Sequence, residues 1–229
     1  MAVDMRGVLE RACGPLPARP ERYRVGELLA WCRREQPGRL DDLWALALDH
    51  EQRAMDAASL EAGALESVAG ARDAGFATAV WTNNAGAVTR SALDRFGLTA
   101  HLDLVVTRDD MQELKPDPDG WRVISGYFAV DLIGRERTAA PPECPPPAEH
   151  RTRLRRRSRR SNRAGVIDAV VVGDSWVDGV AAARAGVPFV AYRAKPADLA
   201  RWNVTPVAFL DDLAALPAWL RNGRRHGAR

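Results

Sequence analysis

The sequence predicts an α/β fold in which a parallel sheet is covered by helices on both faces. Two observations indicate this fold: several short runs are almost continuously apolar, as buried parallel strands are, and segments with helical periodicity separate them. The chain has 229 residues, of which 46% are hydrophobic. That length allows one Rossmann-like, three-layer domain with a small accessory module and excludes two large domains.

The first part of the chain is predicted to form one strand followed by a helical insert. Residues 2–9 are expected to form a short apolar strand that ends at a polar turn containing Gly7. Apolar residues then recur at intervals of three and four over residues 21–36 and 40–58, which is the helical period, and Pro37-Gly38 separates the two segments. These segments are interpreted as a small helical insert.

The remaining strands and helices alternate. Strands are predicted at residues 77–81, 102–106, 167–172 and 188–192. Helices are predicted at residues 65–73, 118–130 and 177–185, and a further helix follows the Thr82-Asn83-Asn84 turn and ends near Phe96-Gly97. The predicted organisation is therefore a core domain of residues 1–9 and 60–221, a small helical insert of residues 10–59, a disordered proline- and arginine-rich loop of residues 135–164, and a flexible tail of residues 222–229.

Composition excludes several classes of protein. The sequence has no run of about eighteen apolar residues and no secretory signal, so no membrane span is expected and the default location is the cytoplasm. Three cysteines without CxxC spacing do not indicate a zinc site or a disulfide scaffold.

The positive charge is concentrated in one segment. The net charge is +3, and eight arginines lie within Arg151–Arg163, so the rest of the chain carries a net charge of −5. That segment could bind nucleic acid through phosphates, but no base-reading element is visible.

Polar side chains follow the predicted strands, where ligands of parallel sheets bind. They are Asp4, Thr82, Lys115 and Asp174. Lys115 is one of only two lysines in a chain with thirty-one arginines, so its placement is informative. Taken singly, each residue also has an ordinary structural interpretation, because threonine and aspartate commonly cap helices and lysine is commonly solvated.

Four segments together resemble the haloacid dehalogenase superfamily in order and context. They are Asp4-Met5-Arg6-Gly7-Val8-Leu9, Trp81-Thr82-Asn83, Lys115-Pro116-Asp117-Pro118 and Gly173-Asp174-Ser175-Trp176-Val177-Asp178. The resemblance covers nearly the whole chain outside the proline- and arginine-rich loop, and it implies that the insert of residues 10–59 is a small helical cap. It implies an Mg²⁺-dependent hydrolase that forms an aspartyl phosphate and acts on a small phosphorylated substrate.

The resemblance also implies a role for each site residue. Asp4 would attack phosphorus, and Thr82, Asn83 and Lys115 would bind the substrate, with Thr82 and Lys115 also assisting catalysis. The Mg²⁺ ligands would be Asp4, the backbone carbonyl of Arg6, Asp174 and Asp178.

Arg6 departs from the family pattern, which usually has aspartate there as the general acid and base. A guanidinium stays protonated and cannot accept a proton from water, so turnover is expected to be weakened. Two alternatives stay open: a non-catalytic phosphate-binding or scaffold protein, and a phosphotransferase with a long-lived aspartyl phosphate. The intact Gly-Asp-x-x-x-Asp pattern favours phosphate chemistry over dehalogenation.

Overall fold

The computed structural model describes residues 1–18, 23–134 and 169–226 and contains five parallel strands in two sheets. Strand β1 (Ala79–Trp81) pairs with β2 (Leu104–Val106). Strand β4 (Phe189–Tyr192) lies between β3 (Val171–Gly173) and β5 (Ala208–Leu210). The predicted α/β class with parallel strands is therefore confirmed, with short strands and helical connections.

The helices occupy both ends of the chain and the connections between strands. They are α1 (Ala2–Cys13), α2 (Val25–Glu35), α3 (Leu40–Asp56), α4 (Ala64–Asp73), α5 (Gly86–Arg95), α6 (Asp119–Gly134), α7 (Trp176–Ala185), α8 (Pro196–Arg201) and α9 (Leu216–His226). Helix α9 continues to His226, so residues 222–226 of the predicted flexible tail continue this helix, and residues 227–229 lie outside the described residues. The predicted proline- and arginine-rich loop, including Arg151–Arg163, lies outside the described residues.

Residues 2–9 form part of helix α1, so the prediction of a first strand there is wrong. The reason lies in the spacing of Met5 and Leu9, which are four residues apart and therefore share one face of a helix. Both side chains are fully buried in a cluster that also contains Leu28 of α2 and Leu43 of α3. Helices α1, α2 and α3 thus form one helical unit, and residues 2–9 belong to it instead of to the sheet.

Strands β1 and β3 each present an open edge. Thr82 donates its backbone N–H to the Val106 carbonyl at 2.9 Å, and because backbone groups alternate in direction along a strand, the Trp81 carbonyl points away from β2. The Val171 backbone N–H donates to the Pro188 carbonyl at 2.9 Å. By the same alternation, the N–H and carbonyl of Val172 point away from β4. Within the described part of the chain no backbone hydrogen bond joins β1 to β3, and the sheet is divided at that position.

A buried ion pair joins the helical unit to the strand-containing part. Glu51 of α3 is 7% exposed and accepts a hydrogen bond from the 9%-exposed Arg108 guanidinium at 2.5 Å. Its other carboxylate oxygen accepts the Ala85 backbone N–H at 2.9 Å, just before α5. The Arg108 guanidinium also lies 4.8 Å from the centroid of the Trp44 ring. One carboxylate therefore holds α3 against both the end of β2 and the start of α5.

Candidate functional site

Lys115 lies where the ends of β1 and β3 meet. Its Nζ donates to the Trp81 carbonyl at 2.8 Å and to Asp178 Oδ1 at 2.6 Å. The Lys115 and Asp178 side chains are each only 13% exposed, so the ion pair is largely shielded from solvent. Trp81 ends β1 and Asp178 lies in the first turn of α7, which follows β3. A single ammonium group thus connects the carboxyl end of β1 to the first turn of the helix that follows β3.

Asn83 fixes the backbone of Lys115. The Asn83 Nδ2 donates to the Lys115 carbonyl at 3.1 Å, and the Lys115 N–H donates to Asn83 Oδ1 at 2.9 Å. The amide therefore uses one N–H donor and its oxygen to hold the loop, and the role of Asn83 in binding substrate stays a prediction. A further contact comes from Arg184, which donates to the Pro116 carbonyl at 3.1 Å.

Thr82 follows β1 and its side chain forms a local turn. Its Oγ1 accepts the Asn84 backbone N–H at 3.2 Å. Because this contact uses the hydroxyl only as an acceptor, the Thr82 O–H can still donate to a ligand oxygen. The structure thus brings three of the predicted residues, Thr82, Asn83 and Lys115, to one edge.

Asp174 and Asp178 follow β3, as predicted, but their surroundings differ. The second oxygen of Asp178 accepts a hydrogen bond from Ser175 Oγ at 2.5 Å, so both of its oxygens are engaged. Asp174 is exposed and has no hydrogen bond or ion pair among the described residues. Gly173 allows this close packing, because a Cβ at that position would lie 2.6 Å from the Asp178 Cβ. Sequence reasoning missed Ser175, although Ser175-Trp176-Val177-Asp178 has the spacing of a capping box.

Asp4 and Arg6 have their partners on the helical unit. Asp4 Oδ2 lies 3.1 Å from the N-terminal ammonium and 2.9 Å from His50 Nε2, and the hydrogen bond from the N-terminus is the main cause of its lowered pKa. Arg6 Nε donates to Glu10 Oε1 at 2.8 Å on the same helix. Among the described residues neither side chain contacts Lys115 or Asp178. The expectation that Asp4 and Arg6 follow a strand is wrong, since both lie on α1.

The predicted Mg²⁺ ligands do not come together. The described residues contain no cluster of three or more histidine, cysteine or carboxylate side chains suited to a metal ion. The carbonyl of Arg6 lies within α1 and accepts the hydrogen bond of the helix from Glu10. What remains at the strand edge is Asp174 together with an Asp178 whose oxygens already bind Lys115 and Ser175. The residues present therefore do not fit the four-ligand set that the sequence suggested.

The described helices include none that is long and apolar enough to span a bilayer.

No curated protein sequence matches the chain. A sequence model described as haloacid dehalogenase-like hydrolase matches residues 37–125. This segment includes β1, β2, Thr82, Asn83 and Lys115.

Solved structures with a similar fold cover almost the whole chain. A hydrolase from Pseudomonas syringae is 20% identical with a TM-score of 0.57, and the match covers 96% of this chain and 90% of that one. CbbY from Rhodobacter sphaeroides, solved in complex with phosphate, is 18% identical with a TM-score of 0.55 and coverage of 93% and 87%. A protein described as a predicted phosphoglycolate phosphatase from Haemophilus somnus is 15% identical, with a TM-score of 0.55 and coverage of 96% and 89%.

These solved structures are similar to the chain in fold over almost its whole length. The chain therefore has the haloacid dehalogenase-like fold, and its residues 37–125 match the haloacid dehalogenase-like hydrolase family.

Proposed function

We propose that this haloacid dehalogenase-like protein binds the phosphoryl group of a small phosphoric monoester at the edge formed by Thr82, Lys115, Asp174 and Asp178, and hydrolyses it slowly. The single observation that carries the proposal is the shielded Lys115–Asp178 pair between the ends of β1 and β3. Support also comes from proteins of similar fold, one of which is described as a predicted phosphoglycolate phosphatase and another of which was solved in complex with phosphate.

The Lys115 ammonium has the capacity to bind a phosphoryl oxygen. It carries three N–H donors, and the Trp81 carbonyl and Asp178 use two of them. The third can donate to a phosphate, and the Thr82 hydroxyl can donate to a second oxygen. Because the ammonium is largely shielded from water, its attraction to an anion is stronger than that of an exposed lysine.

Slow turnover follows from the position of the carboxylates. Two carboxylates follow β3. Asp178 is held by Lys115 and Ser175, so it is not free to activate water. Asp174 is exposed and is the carboxylate that can accept a proton from water. Asp4, which the resemblance assigns as nucleophile, is bound to His50 and the N-terminus on the helical unit. An aspartyl phosphate on Asp4 is therefore not part of this proposal.

A second candidate function is phosphate binding without turnover. The observation that favours it is the same location of Asp4 and Arg6 on α1, which leaves the strand edge with binding groups and few reactive ones. The two functions share the phosphoryl-binding edge and differ only in whether a phosphate ester is cleaved there.

A pair of measurements on matched lysine variants tests these proposals. Calorimetry with inorganic phosphate measures binding, and release of p-nitrophenol from p-nitrophenyl phosphate, with and without Mg²⁺, measures turnover. Lys115→Gln should lose most phosphate affinity, whereas Lys195→Gln, which changes the other lysine at an exposed position before α8, should keep it.

The outcomes separate the two candidates. Binding with measurable nitrophenol release supports a slow hydrolase, and binding without release supports the binding protein. Equal phosphate affinity in both lysine variants, or no binding by the wild type, would show that the strand edge is not a phosphoryl site.

A further inference from the structure

The helical unit contacts the strand-containing part beside the candidate site, through the start of α2. Arg24 is the residue before α2, and its backbone is fixed there: its N–H donates to Glu27 Oε2 at 2.8 Å and its carbonyl accepts the Leu28 N–H at 3.0 Å. Its side chain extends to two tryptophans of the other part. The guanidinium carbon lies 4.6 Å from the ring centroid of Trp176 and 4.5 Å from that of Trp202.

The two tryptophans form a fixed platform. Their rings are stacked, with centroids 4.1 Å apart and planes inclined by 16°. Both pack against a buried cluster that includes Phe189 of β4 and Leu199 of α8. Because rings packed in this way have little freedom to move, the position of Arg24 and the position of the tryptophans depend on each other.

Trp176 connects this platform to the phosphoryl edge. It is the first residue of α7 and lies two residues from Asp174 and two from Asp178. The first turn of α7 therefore carries both the ring that Arg24 contacts and the carboxylate that holds Lys115. A shift of the ring would move the helix turn that sets the Lys115–Asp178 pair.

The other end of α2 makes a weaker contact near the same site. Arg33 Nη1 lies 3.1 Å from Glu113 Oε1, two residues before Lys115, but the two side chains are 44% and 60% exposed. Exposed ion pairs contribute little, whereas a cation against shielded aromatic rings is worth on the order of two- to thirtyfold in an equilibrium constant. Arg24 is thus the stronger of the two contacts.

We propose that Arg24 is a positioning residue, which fastens the helical unit to Trp176 and Trp202 and thereby keeps the first turn of α7 in the geometry that binds a phosphoryl group. The proposal rests on the proposed function. It assigns to Arg24 no contact with the ligand, so its effect on affinity passes through Trp176 and Asp178.

Calorimetry with inorganic phosphate on three variants tests the proposal. Arg24→Ala should weaken phosphate affinity about five- to tenfold, on the scale expected for loss of a shielded cation–aromatic contact. Arg24→Lys keeps the positive charge and should recover part of the affinity. Arg34→Ala removes an arginine of the same helix whose side chain is 66% exposed, and should leave the affinity unchanged.

A second measurement reports on the contact itself. Near-ultraviolet circular dichroism is sensitive to the stacked tryptophan pair, so Arg24→Ala should change the tryptophan bands. In a Trp202→Phe background the change caused by Arg24→Ala should shrink, because the stacked pair no longer exists.

The possible results distinguish the inference from the proposed function. Phosphate binding by the wild type, with unchanged affinity in Arg24→Ala, would overturn the inference and leave the function standing. No phosphate binding by the wild type would overturn both. Equal loss of affinity in Arg24→Ala and Arg24→Lys, with no change in the tryptophan bands, would also contradict a positioning role through the rings.

Discussion

Removal of the Glu51 carboxylate should strongly destabilise the attachment of the helical unit. Glu51→Ala leaves Arg108 as a charge that is 9% exposed and has lost its buried carboxylate, and it leaves the Ala85 N–H without its acceptor. Breaking a buried ion pair by removing one partner costs about 3–5 kcal/mol. The contact of Arg108 with the Trp44 ring and its 3.8 Å ion pair with Asp109 persist and offset part of that cost, so we expect the lower end of the range.

Thermal unfolding followed by circular dichroism measures this effect. For a chain of this size, 1 kcal/mol corresponds to a shift of about 2–4 °C, so Glu51→Ala should lower Tm by about 6–12 °C. Asp49→Ala is the matched control on the same helix, because the Asp49 and Arg53 side chains are 55% and 64% exposed and such a pair contributes at most about 1 kcal/mol. Glu51→Gln keeps an acceptor for the Ala85 N–H, so its decrease in Tm should lie between those of Glu51→Ala and Asp49→Ala. A Glu51→Ala shift no larger than that of Asp49→Ala would refute the reasoning.

Two further predictions concern close packing and burial. Gly173→Ala should weaken phosphate binding, because the added Cβ would meet Asp178 at 2.6 Å and displace it from Lys115; calorimetry with inorganic phosphate should show the loss, and wild-type affinity would contradict it. Cys32 should react with a thiol reagent more slowly than Cys13, since burial raises the pKa of the Cys32 thiol whereas Cys13 is exposed; peptide mapping by mass spectrometry measures the two rates, and equal rates would count against this account.

The sequence was sufficient to predict the alternating strands and helices between residues 60 and 192, but not α8, β5 and α9, which follow them. The apolar runs around Val80, Val105 and Val190 lie in parallel strands, and these three side chains are buried or half-buried. Lys115 was identified from its rarity and its position between a strand and a helix, and the structure places it against Asp178. Here local pattern and tertiary packing agree, because a continuous apolar run can be satisfied only by burial on both faces.

Residues 2–9 show why the same reasoning failed at the start of the chain. The segment Ala-Val-Asp-Met-Arg-Gly-Val-Leu contains apolar residues compatible with either a strand or one face of a helix, and a short run cannot distinguish the two. Packing decides between them: the helix buries Met5 and Leu9 completely against α2 and α3. The resemblance of Asp4 to a nucleophile motif depended on the strand and did not include this tertiary contact.

The contacts of Arg24 and Ser175 could not be predicted because they depend on long-range placement or on geometry within one turn. Arg24 and Trp202 are far apart in sequence, and no periodicity indicates that they meet. Ser175 had a local signal in its spacing from Asp178, but that signal is also typical of an ordinary helix start.

The central claim is that the phosphoryl-binding edge is built around Lys115 and Asp178 without Asp4. Asp4→Asn, which preserves the shape of the side chain on α1, tests this most directly when inorganic phosphate affinity is measured by calorimetry and turnover with p-nitrophenyl phosphate. We predict wild-type affinity and turnover at neutral pH. The pKa of Asp4 is lowered, mainly by the hydrogen bond from the N-terminus, so the stability from this contact should be present at neutral pH and lost as the pH falls through the lowered pKa. Loss of phosphate affinity or turnover in Asp4→Asn would contradict the account and return Asp4 to the site.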